Sequence, residues 1–115
     1  MTQTIYHMCR RTEWEAAQAA GAYGGSSQDQ ADGFIHFSTA AQVKESAAKH
    51  RAGQSGLVLL AVDAAACGDA LKWEPSRAGQ LFPHIYGGLP MAALRWVKDL
   101  PLGEGGLHVF PELED

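Results

Sequence analysis

The chain has 115 residues, 46% of them hydrophobic, and a net charge of −4 at neutral pH. That length suits a single domain over residues 1–115 with a core of its own. The mild acidity, with only Arg10 and Arg11 adjacent as basic residues, argues against nucleic acid as a partner. No apolar leader opens the chain and no run approaches the roughly 20 apolar residues of a membrane span. A cytoplasmic protein is therefore expected, with Cys9 and Cys67 as free thiols rather than a disulfide.

Thr4 to Arg10 alternates, with Ile5 and His7 on one face and Tyr6 and Met8 on the other, and predicts a first strand. Thr12-Glu13-Trp14-Glu15 has the form of a capping box. The alanine-rich run after it predicts a helix that Gly21 stops, with Trp14 as its core anchor. Ala22 to Asp32 is rich in glycine, serine and polar residues and reads as a surface loop. Its one large side chain, Tyr23, either pins the loop to the body or overhangs a cleft.

The next stretch, Gly33-Phe34-Ile35-His36-Phe37-Ser38-Thr39, organises the chain. An extended backbone puts His36 and Ser38 on one face and Ile35 and Phe37 on the other. A histidine and a hydroxyl side by side suit a polar ligand. Thr39 and Gln42 then make a second capping box. The helix it opens should end near Arg51–Gly53 and bury Val43, Ala47 and Ala48. Gly56 to Asp63 is a continuous apolar run and predicts a central strand buried on both faces. A turn or short helical segment from Asp63 to Gly68 follows.

Leu71 to Glu74 predicts a short strand halted by Pro75, and Ser76 to Gln80 a loop. In Leu81 to Pro90, His84 and Tyr86 share a face if extended, just before Gly87-Gly88. Ala92 to Asp99 predicts another strand, Leu107 to Phe110 a last one, and residues 111–115 an acidic, mobile tail. Two early helices with five to six strands make an α+β domain.

His7, His36 and His84 each lie in a strand-like segment beside a tyrosine or hydroxyl. They suit a pocket that hydrogen-bonds ribose hydroxyls, an amide or a phosphate. Three histidines also occur around zinc, but no metal-ligand spacing supports that choice here, and no metal is assigned. Cys9, two residues from His7, becomes a nucleophile only with a paired base.

Taken together, Ile5-Tyr6-His7, the Gly33–Thr39 segment, Glu74 and Phe82-Pro83-His84-Ile85-Tyr86-Gly87-Gly88-Leu89 resemble the domain-of-unknown-function 952 family of small bacterial proteins. The resemblance implies a small ADP-ribosyltransferase-like mixed β-sheet domain with two to three short helices. It implies NAD, or a related nucleotide-like small molecule, as ligand. His7 then contacts the ribose, and His36 and Ser38, with Thr39 beside them, lie at the nicotinamide. Where many such enzymes place a glutamate, this chain offers His84 and Tyr86, with Glu74 upstream. The expected catalytic residues are His36, His84 and Glu74; the expected ligand-binding residues are His7, His36, Ser38, Thr39 and Tyr86. The activity this implies is transfer or hydrolysis of ADP-ribose. A non-catalytic small-molecule-binding or regulatory module on the same fold is the alternative, and a metal-dependent hydrolase using the histidines is a third reading.

Overall fold

In the computed structural model, residues 3–76 and 79–115 are described; the middle of the expected Ser76 to Gln80 loop lies outside them. The fold is α+β. The expected mixed sheet resolves into two sheets whose pairings, among the described residues, are all antiparallel. The first has β1 (Thr4–Arg10) at its centre, with β3 (Ser38–Thr39) on one side and β4 (Leu57–Asp63), then β7 (Leu94–Leu100), on the other. The second sets β6 (Leu81–Ile85) between β2 (Ile35–His36) and β5 (Leu71–Pro75).

Strand alternation decides what faces what. On β4, Val58, Leu60 and Val62 enter one apolar cluster, and Leu57, Leu59 and Ala61 enter another. Six consecutive residues of β4 are therefore buried, as the continuous apolar run predicts. Each valine and leucine among them contributes about 1.5–3 kcal/mol of burial. On β1, Ile5 and Cys9 enter the first cluster and Tyr6 the second. His7 lies between Ile5 and Cys9 on the same face, which is why it is buried.

The helices run Arg11–Ala20 (α1), Ser27–Asp32 (α2) and Ala40–His50 (α3). Helix α1 starts ahead of the Thr12 box. The Arg11 N–H still bonds the carbonyl of Gly56 as the strand ends, and Glu13 accepts from the Arg10 N–H at 3.1 Å. Gly21 closes it in the left-handed region, as expected. In α3 the Thr39–Gln42 box forms, with the Thr39 N–H donating to Gln42 at 3.0 Å. Its buried positions are Val43, Ser46 and Ala47; Ala48 is exposed, because Ser46 takes the inward position and bonds Ser38.

Two further expectations change. Leu107 to Phe110 forms no strand, only a bridge between His108 and Leu102. The acidic tail is docked: the Tyr6 hydroxyl donates to the Glu114 carbonyl at 2.7 Å and accepts its N–H at 2.9 Å. Phe110 and Leu113 pack beside the second cluster. Among the described residues no helix is long and apolar enough to cross a membrane.

Candidate functional site

The Gly33–Thr39 segment is extended but serves two sheets. Ile35 and His36 pair with β6, Ser38 and Thr39 pair with β1, and the Phe37 N–H between them bonds the Pro83 carbonyl at 2.9 Å. Ile35 and Phe37 go to the core. His36 falls opposite His84, and Ser38 opposite Tyr6. Both open onto a cavity of about 510 Å³, which His7 and His84 also line. That size is typical of small-molecule sites.

The expected loop over Ala22 to Asp32 contains α2, and α2 supplies the residue that ties the site together. Ser26 caps it, giving its backbone N–H and its hydroxyl to Asp29 Oδ2 at 2.8 and 2.9 Å. Asp29 Oδ1 accepts the His36 backbone N–H at 3.1 Å and the His36 Nδ1–H at 2.6 Å. Burial alone would raise the Asp29 pKa, but these donors and the nearby His7 ring outweigh it and hold it at about 2. Asp29 is a buried carboxylate with four hydrogen bonds. The Ser26-Ser27-Gln28-Asp29 pattern was the available signal, a capping box read as loop composition.

His7 is fully committed inside the protein. Its Nδ1 lies 2.6 Å from the His36 carbonyl, which can only accept, so Nδ1 carries the hydrogen. Its Nε2 therefore accepts from the Tyr23 hydroxyl at 2.6 Å. Burial lowers its pKa and favours this neutral form. Tyr23 thus pins its segment to the body, and burial raises its own pKa. Neither ring nitrogen of His7 is left for a ligand; its place is to hold the His36 backbone.

His84 is held from behind. Its Nδ1–H donates to Glu74 Oε1 at 2.7 Å, and the Tyr86 hydroxyl donates to the same oxygen at 2.7 Å. These two donors lower the Glu74 pKa. The His84 Nε2 has no hydrogen-bond partner among the described residues, and the ring lines the cavity. Phe34 stacks on the His84 ring at 4.2 Å and reaches Tyr86 at 5.4 Å. Glu74 and Tyr86 do not line the cavity, and Thr39 caps α3 instead of lining it. Cys9 and Cys67 are free and buried, and burial pushes the Cys9 thiol up to about 11.

The cavity wall also includes Asp29, Ser46, Arg10 and Arg51, to which no sequence motif gives a ligand role. Among the described residues no three His, Cys, Asp or Glu side chains are grouped to hold a metal ion.

Residues 8–97 match the family described as protein of unknown function, DUF952. The crystal structure of protein CC0527 from Caulobacter crescentus is 47% identical, with a TM-score of 0.88 over 92% of this chain and 93% of that one. The solution structure of CC0527 is 48% identical, with a TM-score of 0.80 over 90% of each chain. No curated protein matches the chain.

Proposed function

The chain belongs to the DUF952 family, and we propose that its cavity binds NAD or a related nucleotide and acts on, or senses, the bond between ribose and base. One observation supports this most: His36, His84 and Ser38, from three strands of two sheets, converge on one cavity of ligand size. Residues 1–115 act as one domain on this reading, and the protein works in the cytoplasm.

The side chains divide the task. Asp29 fixes the direction of His36 through Nδ1, Asp32 lies 3.2 Å from its Nε2, and His7 fixes the backbone beneath it. Glu74 does the same for His84, leaving Nε2 toward the cavity to accept or deliver a proton. Ser38, whose O–H goes to Ser46 Oγ, offers its oxygen to a ribose hydroxyl or an amide N–H. NAD would supply a glycosidic bond whose leaving group is neutral nicotinamide. The protein's contribution is positioning and oriented dipoles around that bond.

A second reading, a binding module without turnover, is favoured by a specific feature. Glu74, the expected catalytic carboxylate, is committed to His84 and Tyr86 outside the cavity.

Calorimetric titration with NAD and ADP-ribose tests the site, and chromatography of released nicotinamide separates the two readings. Saturable binding that His36→Ala abolishes, with the fold intact by circular dichroism, is the expected result. Release of nicotinamide makes the protein an enzyme; binding without release makes it a module. Unchanged affinity in His36→Ala removes the assignment.

A further inference from the structure

The charged groups around the cavity are unequally used. Its carboxylates are engaged: Asp29 by Ser26 and His36, Asp32 by His36 Nε2 at 3.2 Å, and Glu13 by the backbone N–H groups of Arg10 and Ser27. Its arginines are not. Among the described residues neither Arg10 nor Arg51 pairs with a carboxylate.

Arg51 is the better placed. It follows the last turn of α3 and is half-buried. Its Nη1 donates to Gln54 at 3.2 Å and its Nη2 to the Met8 carbonyl at 3.3 Å. Two of the five guanidinium N–H groups are used and the plane is fixed, so three donors remain. Its positive charge is felt by buried His7 and Cys9. A half-buried, pre-oriented cation without a counter-ion carries a desolvation cost that an incoming anion offsets. Arg10, at the end of β1, lines the same cavity from the exposed side.

We propose that Arg51 and Arg10 form a phosphate subsite at the opposite end of the ligand from His84, so that the cavity selects nucleotides carrying a diphosphate over nucleosides and free bases. This rests on the nucleotide reading above and specifies its substrate class. The fork of Arg51 suits two oxygens of one phosphate, and Arg10 supplies the second charge.

Calorimetric titrations with sodium pyrophosphate, ADP-ribose and nicotinamide riboside test it, at low and high salt. The proteins are the wild type, Arg51→Gln, Arg51→Lys and Arg10→Gln. In the expected result pyrophosphate and ADP-ribose bind, and salt weakens both. Arg51→Gln weakens ADP-ribose roughly 10- to 100-fold, the range of a lost charge-assisted bond, and leaves the riboside unchanged. Arg51→Lys recovers part of the loss. Arg10→Gln, at an exposed position, weakens ADP-ribose several-fold even if Arg51→Gln does not fold. Pyrophosphate binding that depends on Arg51, with no gain from the nucleoside portion, keeps the subsite and removes the nucleotide reading. Equal affinity for ADP-ribose and riboside, insensitive to both arginines and to salt, removes the subsite and keeps the nucleotide reading. Failure of the folded wild type to bind pyrophosphate or ADP-ribose overturns the subsite.

Discussion

His36 and His84 are register partners across β2 and β6, with ring centroids 5.6 Å apart, and each gives its Nδ1–H to a carboxylate. The carboxylates come from different elements. Asp29 reaches His36 from α2, and Glu74 reaches His84 from the neighbouring strand β5. The pair is thus held by two separate supports, one buried and one at the surface, and these should respond differently to substitution.

Asp29→Asn should cost about 2–4 kcal/mol of folding stability, because it leaves buried donors facing a donor. The carboxylate accepts four N–H or O–H groups. An amide NH₂ in place of either oxygen meets at least one backbone N–H. Asp32→Asn, at a partly exposed side chain, should cost less than about 1 kcal/mol. Urea unfolding of both variants checks the contrast, and equal losses would contradict the central place given to Asp29.

Stability should fall with acid in two windows. Asp29 has a native pKa of about 2 against an ordinary 3.8. A depressed carboxylate stabilises above its unfolded value, and that contribution is lost as pH falls from about 4 toward 2. His7 is lowered from 6.5 by burial, so the unfolded chain takes up its proton first. Stability therefore begins to drop below about pH 6.5, with a slope up to about 1.4 kcal/mol per pH unit for one proton. Urea midpoints across pH 3 to 8, roughly the span of these two ordinary pKa values, should show both declines. His7→Gln should flatten the upper one; an unaltered slope in that variant assigns the effect elsewhere.

The sheet-forming residues were legible because their patterns are local. The apolar run of β4 and the alternation of β1 and of Gly33–Thr39 each state a face that the fold then uses. Capping chemistry located the start of α3 to the residue. The failures share a cause, since they depend on partners far away in the chain. Asp29 sits in a segment whose composition is that of a loop, and only its contact with His36 gives it meaning. No local pattern announces that Tyr23 and the His36 carbonyl bond both ring nitrogens of His7. The tail looked solvated because the Tyr6 hydroxyl that anchors it lies 108 residues away. Arg51 had no signal beyond its place at a helix end.

The thiols should be inert in the native protein. Cys9 is buried and pushed up to about 11, and burial also raises Cys67, whose Sγ bonds the Asp63 carbonyl. The thiolate is the reactive form, so Ellman's reagent near pH 8, below the ordinary Cys value of about 8.5, should modify neither until urea unfolds the chain, and then both. Rapid native-state modification of Cys9 would restore it as a candidate nucleophile beside His7.

Gly25→Ala should damage the site from one step outside it. Gly25 has φ +99°, where an L side chain is strained, and a Cβ there would lie 2.7 Å from Asp29 Cβ and 3.1 Å from its Oδ2. Ile35 blocks the remaining space at 3.2 Å. The new methyl therefore pushes the carboxylate off His36, adding lost hydrogen bonds to about 1–2 kcal/mol of backbone strain. Gly24→Ala is the matched control, with nothing within 4 Å of its Cβ. We expect Gly25→Ala to lose about 2–4 kcal/mol in urea unfolding, the range of a severe single substitution, and to weaken ADP-ribose binding. Gly24→Ala should change neither. If both variants bind and unfold like the wild type, Asp29 has room to retreat, and the order of the site does not depend on the close approach of Gly25.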